Sequence, residues 1–100
     1  MTEFEINKKV ASRYLPCDYN INDSTEQIEL IRFLGDTSEY EVYGIFDPCN
    51  NLSQAWEIML KYGITIVFQS GKYEFATYDG EIESNHEKPL VAAMLLFLEI

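Results

Sequence analysis

Residues able to do chemistry are few in this chain of 100 residues. It has one histidine, His86, and two cysteines, Cys17 and Cys49. His86 lies in a charged stretch, Glu83-Ser84-Asn85-His86-Glu87-Lys88. One imidazole cannot build a zinc site, which takes three or four protein ligands, so His86 reads as a solvated loop residue. The cysteines lack C-x2-C spacing, and the negative charge of the chain gives no electropositive setting to lower a thiol pKa. They read as free structural thiols. Asp18 with Asp23, and Glu81 with Glu83, do not fit a calcium-binding loop. The glycines at 35, 44, 63, 71 and 80 are isolated and form neither a phosphate loop nor a dinucleotide fingerprint. With no nucleophile, base and oxyanion donor in one constellation, the expectation is a non-enzymatic protein with no cofactor and no metal.

The carboxylates carry the strongest signal. Seventeen Asp and Glu stand against seven Lys and Arg, for a formal net charge of −10. The excess is concentrated: residues 14–60 hold nine carboxylates and one cation, Arg32. Such a field repels nucleic acid and anionic membranes and attracts basic protein surfaces. The expected partner is therefore a basic host protein or nucleoprotein complex, with no direct nucleic-acid or membrane binding. Tyrosine is enriched at protein interfaces, because it offers a large area at low entropic cost and keeps a polar handle. The chain has seven tyrosines. Tyr40 and Tyr43 lie among the carboxylates, and the candidate partner-binding residues are Asp18, Asp23, Glu26, Glu29, Asp36, Glu39, Tyr40, Glu41 and Tyr43. Trp56 falls on a helical apolar stripe and reads as core.

The composition is 47% hydrophobic and 14% aromatic, which separates this chain from acidic disordered sequences. Its length fits one domain, residues 1–100. The start, Met-Thr-Glu-Phe-Glu-Ile, has neither the basic nor the apolar region of a secretory signal, and no apolar run is long enough to span a bilayer. The expected location is the host cytoplasm, with both thiols reduced.

The elements that must position these residues follow from periodicity and punctuation. Ile6, Val10, Ala11 and Tyr14 form a helical stripe over residues 3–15, with a Thr2/Glu5 capping box and Pro16 as the stop. Residues 16–23 read as turn. Residues 28–34 fit helix or strand, since Ser24 and Gln27 offer a cap while the β-branched content favours a strand. Strand is the preferred reading, because residues 39–46 alternate as a strand and a loop at residues 35–38 would make a hairpin. Leu52, Ala55, Trp56, Met59 and Leu60 mark a helix over residues 52–62, capped by Asn50 or Asn51 and closed by Gly63. Residues 64–69 and 72–78 read as a hairpin about Ser70-Gly71, with Tyr73, Phe75 and Thr77 on one face. Residues 81–88 read as a charged loop. Pro89 opens a helix over 89–99 that is apolar almost all round, so it is either central to the core or shared with a second chain as a dimer seam. The fold class is α+β: a small antiparallel sheet of three to four strands packed with helices at about 3–15, 52–62 and 89–99.

Two segments resemble a known family together. Residues 46–66 (FDPCNNLSQAWEIMLKYGITI) and residues 88–100 (KPLVAAMLLFLEI), separated by a hairpin, are similar to small bacteriophage and prophage proteins of the NinX-like, or phage ABA-sandwich, group. The resemblance covers roughly residues 46–100, and Pro89-Leu90 with Ala92-Ala93-Met94 is its most specific part. It implies a small α/β sandwich with an antiparallel sheet between helices, and a phage-derived gene. It implies no activity and no site residues. Leu95 departs from the basic residue that relatives often carry there, and residues 16–45 find no counterpart in the pattern. The function expected on these grounds is inhibition of a host nucleic-acid-binding defence complex, of the anti-CRISPR or anti-restriction type, by an acidic surface that competes for phosphate-binding cations. The alternative is a phage accessory or structural interaction protein, or a homodimer, with no such role.

Excess negative charge also costs the folded state stability through self-repulsion. Raising NaCl from about 0.01 M to about 0.1 M shortens the Debye length from roughly 30 Å to 10 Å. The melting temperature is expected to rise over that range, and again as pH falls toward 5. A melting temperature that drops with added salt would show that repulsion is not the dominant charge effect.

Overall fold

The computed structural model describes residues 1–80 and 82–100. Three helices and six strands follow in the order α1 (Glu3–Tyr14), β1 (Tyr19–Asn22), β2 (Gln27–Phe33), β3 (Tyr40–Ile45), α2 (Leu52–Tyr62), β4 (Ile64–Gln69), β5 (Lys72–Tyr78), β6 (Ile82–Ser84) and α3 (Pro89–Glu99). The class is α+β, and residues 27–33 are a strand. The strands divide between two antiparallel sheets, β1-β2-β3 and β4-β5-β6. Two strands lie where turn and loop were expected. β1 is drawn from residues 16–23, because Tyr19 and Ile21 pair with Leu30 and Ile28. β6 comes from the charged stretch, where Ile82, Glu83 and Ser84 pair with Tyr78, Thr77 and Ala76. Glu81, also in that stretch, lies outside the described residues.

Each helix begins and ends for a local reason. Thr2 caps α1, its hydroxyl accepting from the Glu5 N–H at 3.1 Å. Asn51 caps α2 by accepting from the Gln54 N–H at 3.1 Å, and Gly63 closes it at φ 72°, a left-handed geometry that glycine adopts without strain. Pro89 starts α3 at a position where no N–H partner is needed.

The core is built around α3. Val91, Ala92, Ala93, Met94, Leu96 and Phe97 are all buried, so this helix is central and the dimer-seam reading does not hold for it. α1 presents Ile6, Val10 and Ala11 to the core, α2 presents Ala55, Ile58 and Met59, and the second sheet presents Ile64 and Ala76. α3 packs against α1 and α2 as well as against β4, β5 and β6, while β2 packs on α1. Helices therefore lie between the two sheets, the reverse of the order implied by the resemblance. A ring cluster of Tyr14, Phe46, Tyr62 and Phe97 closes one end, with Tyr62 and Phe97 centroids 4.9 Å apart.

Two bulges change which side chains share a face. In the second sheet Val67 pairs with Phe75 but Phe68 pairs with Tyr73, so Glu74 is an extra residue. Strict alternation would place Tyr73 with Phe75. The bulge turns it instead toward the core, beside Ala76 and Tyr78. In the first sheet Leu30 pairs with Gly44 and Ile31 with Val42, which leaves Tyr43 as the extra residue.

A buried polar junction fixes α1 to the β3–α2 connection. The Asn7 side chain, 6% exposed, donates to Asp47 Oδ1 at 2.7 Å and accepts from the Cys49 N–H at 3.3 Å. Gln54 completes it, accepting from the Asp47 N–H at 2.6 Å and donating to the Ile45 carbonyl at 2.8 Å. At the rim Lys88 Nζ meets Glu3 Oε2 at 2.7 Å, and this bond holds the Glu3 carboxyl below its ordinary pKa. A depressed acid contributes stability above its unfolded pKa and loses it as pH falls through the folded value, so this pair contributes fully at neutral pH. Replacing Asn7 by Ala strands the Cys49 N–H and leaves Asp47 Oδ1 with only its longer bond from Asn50, at 3.2 Å. Asn7→Ala is expected to lower unfolding free energy by about 1–3 kcal/mol, read as a lower urea midpoint at unchanged slope. An unchanged midpoint would show that the junction adds nothing.

Candidate interaction surface

The first sheet, with its turns, spans residues 17–45 and touches the rest of the protein chiefly through Ile28, which is buried, and through Tyr19 and Leu30. The molecule is elongated as a result, 53 × 25 × 21 Å with a radius of gyration of 15.1 Å, against about 13 Å for a compact domain of this length. Residues 17–45 form an arm holding seven carboxylates and one cation.

All nine sequence-derived candidates lie on this arm. Asp18 precedes β1, Asp23 and Glu26 form the β1–β2 turn, and Glu29 is central in β2. Asp36 and Glu39 lie in the β2–β3 turn, and Tyr40, Glu41 and Tyr43 are on β3. They do not gather into one patch. Arg32 pairs with Glu41 across the strands, with Nη2 and Oε1 2.6 Å apart, and the guanidinium lies over the Tyr43 ring at 5.4 Å. The neighbouring pair, Phe33 and Tyr40, falls on the opposite face by strand alternation, ring edge to ring face at 6.1 Å. Asp18 joins the Tyr43 side, in a shallow groove with Cys17 and Arg32. There the Cys17 side chain lies against the Tyr43 hydroxyl and is the first cause of a raised phenol pKa. Glu29 accepts from Asn20 and Asn22 at 3.0 and 3.3 Å, which ties β1 to β2. Glu26 faces a different, polar groove of about 230 Å³ that also contains Glu3, Asn7 and Asp47. Glu3 and Asp47 are already engaged by Lys88, Asn7 and Asn50, so this groove serves the junction.

The arm exposes apolar side chains as well as carboxylates. Phe33, Tyr40, Val42 and Tyr43 are each between 42% and 52% exposed. β3 is an edge strand with one outer side unpaired; it carries no Lys or Pro, and the bulge at Tyr43 interrupts the edge partway along. A short turn closes the hairpin: the Leu34 N–H reaches the Glu39 carbonyl at 2.9 Å and the Thr37 hydroxyl donates to the Leu34 carbonyl at 2.7 Å. Gly35, at φ 61°, supplies the left-handed step.

Trp56 corrects the reading of it as core. It is 52% exposed, with Leu52 and Leu60 at 64% each. The buried face of α2 is centred on Ala55, Ile58 and Met59, so the apolar positions on this helix make two adjacent faces where one was expected. The signal that distinguishes them is Ile58, which the stripe through Trp56 had left out.

Among the described residues no group of three or more His, Cys, Asp or Glu side chains is placed to hold a metal ion. His86 Nδ1 accepts from the Lys88 N–H at 3.0 Å, ahead of α3. Both cysteines are free, Cys17 exposed and Cys49 buried. Burial, reinforced by Glu3 and Asp47, pushes the Cys49 thiol up to about 12. Among the described residues no helix is long and apolar enough to cross a membrane.

The structure is that of an α+β protein with one acidic arm and a central, almost wholly apolar helix. The family model described as "Bacteriophage P22, NinX" matches residues 1–99, and the chain belongs to that bacteriophage family. The match is wider than the resemblance seen over residues 46–100. The acidic stretch, residues 16–45, lies inside it, so that stretch is not an addition to the family frame. Neither a curated protein nor a solved structure matches the chain.

A thiolate is the reactive form of cysteine, and a buried thiol held near 12 is almost entirely protonated at pH 8. An aromatic disulfide reagent is expected to label one cysteine per native chain and two in denaturant. Cys17→Ser should abolish the native signal. Two rapid equivalents in the native state would contradict the burial of Cys49.

Proposed function

We propose that the arm binds a basic surface of a host protein and inhibits it without catalysis, the target being a nucleic-acid-binding defence complex. The observation that carries this reading is the arm itself: seven carboxylates and one cation on a projecting sheet, with that cation engaged by Glu41. Of the remaining carboxylates, Glu29 is engaged by Asn20 and Asn22 and Glu26 faces the junction groove, which leaves Asp18, Asp23, Asp36 and Glu39 to meet Lys and Arg of a partner. A nucleic-acid site offers such cations at phosphate spacing, and duplex DNA carries one charge per about 1.7 Å of axis. Exposed Phe33, Tyr40, Val42 and Tyr43 supply the apolar contact that charge alone lacks, and the open β3 edge suits main-chain pairing with a partner strand. Phage membership is consistent with an action on a host protein. A role without a paired nucleophile and base is favoured by the burial of Cys49 and by a groove around the exposed Cys17 whose lining includes no imidazole.

The test is affinity capture from bacterial host lysate at about 0.1 M and about 0.5 M salt, where the Debye length falls from about 10 Å to under 5 Å. Competition then asks whether the captured protein releases bound duplex DNA when the phage protein is added. The expected result is a basic partner that loses DNA, with affinity reduced tenfold or more by the triple substitution Asp36→Lys, Glu39→Lys, Glu41→Lys. A partner held equally at both salts by the wild-type and triple-substituted proteins overturns the electrostatic reading. A partner that keeps its DNA points to an accessory role.

A further inference from the structure

A second surface lies outside the arm. α2 and β4 enclose a groove of about 550 Å³ whose lining includes Trp56, Leu60, Ile64, Ile66 and Phe68. None of its lining residues is charged, in a chain of net charge −10. Leu52, Trp56, Leu60 and Phe68 are each more than half exposed. From those exposures and the usual size of such side chains, they leave roughly 500 Å² of apolar surface open, in the upper part of the range for the largest apolar patch of a monomer, which is often functional.

The arrangement along α2 is symmetric. Leu52, Trp56 and Leu60 follow at spacings of four, a single ridge centred on Trp56 and about 12 Å long. A two-fold axis through Trp56 maps this ridge onto itself: Leu52 of one copy meets Leu60 of the other and the two indoles meet at the axis. Isologous contacts need that self-complementarity. Two copies would cover roughly 1,000 Å², the lower bound for a specific interface. Charge selects the same occupant. A basic partner gains nothing from an uncharged groove, and an anionic lipid surface is repelled by the protein as a whole. A second copy brings an equally uncharged surface.

We propose that this chain forms a two-fold homodimer through the Leu52–Trp56–Leu60 ridge of α2, flanked by Phe68 of β4. The dimer is independent of the arm, so either proposal can fail alone. An interface of this size fits a dissociation constant in the micromolar range. Trp56 is the sole tryptophan, so its emission reports the seam directly.

The experiment is sedimentation equilibrium together with tryptophan emission from about 1 μM to about 500 μM, a range spanning micromolar affinity. The expected result is a mass rising toward twice that of the chain, with a blue-shifted, less quenchable Trp56 over the same concentrations. Trp56→Glu should remain monomeric throughout. If circular dichroism shows that variant unfolded, Leu60→Glu decides in its place, and its Trp56 emission should then be independent of concentration. Under mild copper-catalysed oxidation in a Cys17→Ser background, a mixture of Leu52→Cys and Leu60→Cys chains should cross-link to each other several-fold more than either does to itself. A monomer at every concentration overturns the proposal. So does a dimer that survives both glutamate substitutions, which would move the seam to the β3 edge, and so does a Trp56 signal that shifts only on adding vesicles or another protein.

Discussion

An eleven-residue helix without a polar face must be covered on every side, and α3 imposes that demand on the whole chain. Burying one of its large side chains is worth about 1.5–3 kcal/mol, so arrangements that leave a side open are strongly disfavoured. α1, α2 and the β4–β6 sheet are drawn in to supply the cover. The tight approach depends on small residues at the contacts: Ala11, Ala55, Ala76, Ala92 and Ala93 are all fully buried. What remains for the β1–β3 sheet is a narrow foothold at Ile28, with Tyr19 and Leu30 packed at the edge of the core. The projecting arm is a consequence of a small core already spent on α3. Its own stability rests largely on cross-strand pairs, each worth about 0.2–1 kcal/mol, and on the Glu29 and Arg32 contacts. It is the part of the fold with least buried apolar support, which is where local opening is cheapest.

The helices were legible because their signals are local. Thr2, Asn51, Gly63 and Pro89 each mark a boundary by capping chemistry or backbone preference, and the structure uses all four. The hairpin about Ser70 and Gly71 was legible for the same reason: both residues adopt positive φ, as a two-residue turn requires. β1 and β6 were not legible. They are short and polar, and exist because a neighbouring strand offers partners, which no local pattern records. The division into two sheets was hidden likewise, since periodicity gives strands and not their neighbours. Bulges at Glu74 and Tyr43 shift faces by one residue and escape an alternation argument.

At the candidate surface the sequence located the residues but not their grouping. Asp18, Glu41 and Tyr43 come together about Arg32, while Tyr40 turns to the other face with Phe33 and Glu26 looks toward the junction. Arg32 was notable only as a lone cation. In the structure it organises one face by pairing with Glu41 and stacking on Tyr43. Both ends of that ion pair are well exposed, so it is worth little to stability. Its effect is positional, because it holds a ring and a carboxylate in fixed relation on a sheet open to solvent. Trp56 failed in the opposite way. A helical stripe shows that a face is apolar, and cannot say whether the surface that covers it belongs to the same chain.

Charge and apolar exposure are thus kept apart. The arm carries −6 of the net −10, whereas the groove between α2 and β4 carries none among its lining residues. The separation follows from what each surface can tolerate. Carboxylates hold their charge cheaply only while water remains, and burying one without a partner costs several kcal/mol. An acidic arm can therefore be covered only by cations that replace the water. An uncharged groove has no such requirement, and is covered best by another uncharged surface. Two such surfaces on one small fold do not compete for the same partner, and one can be occupied without screening the other. A pair of chains joined at α2 would present two acidic arms. Where a target displays repeated basic sites, the second arm would then bind at an effective concentration set by the first.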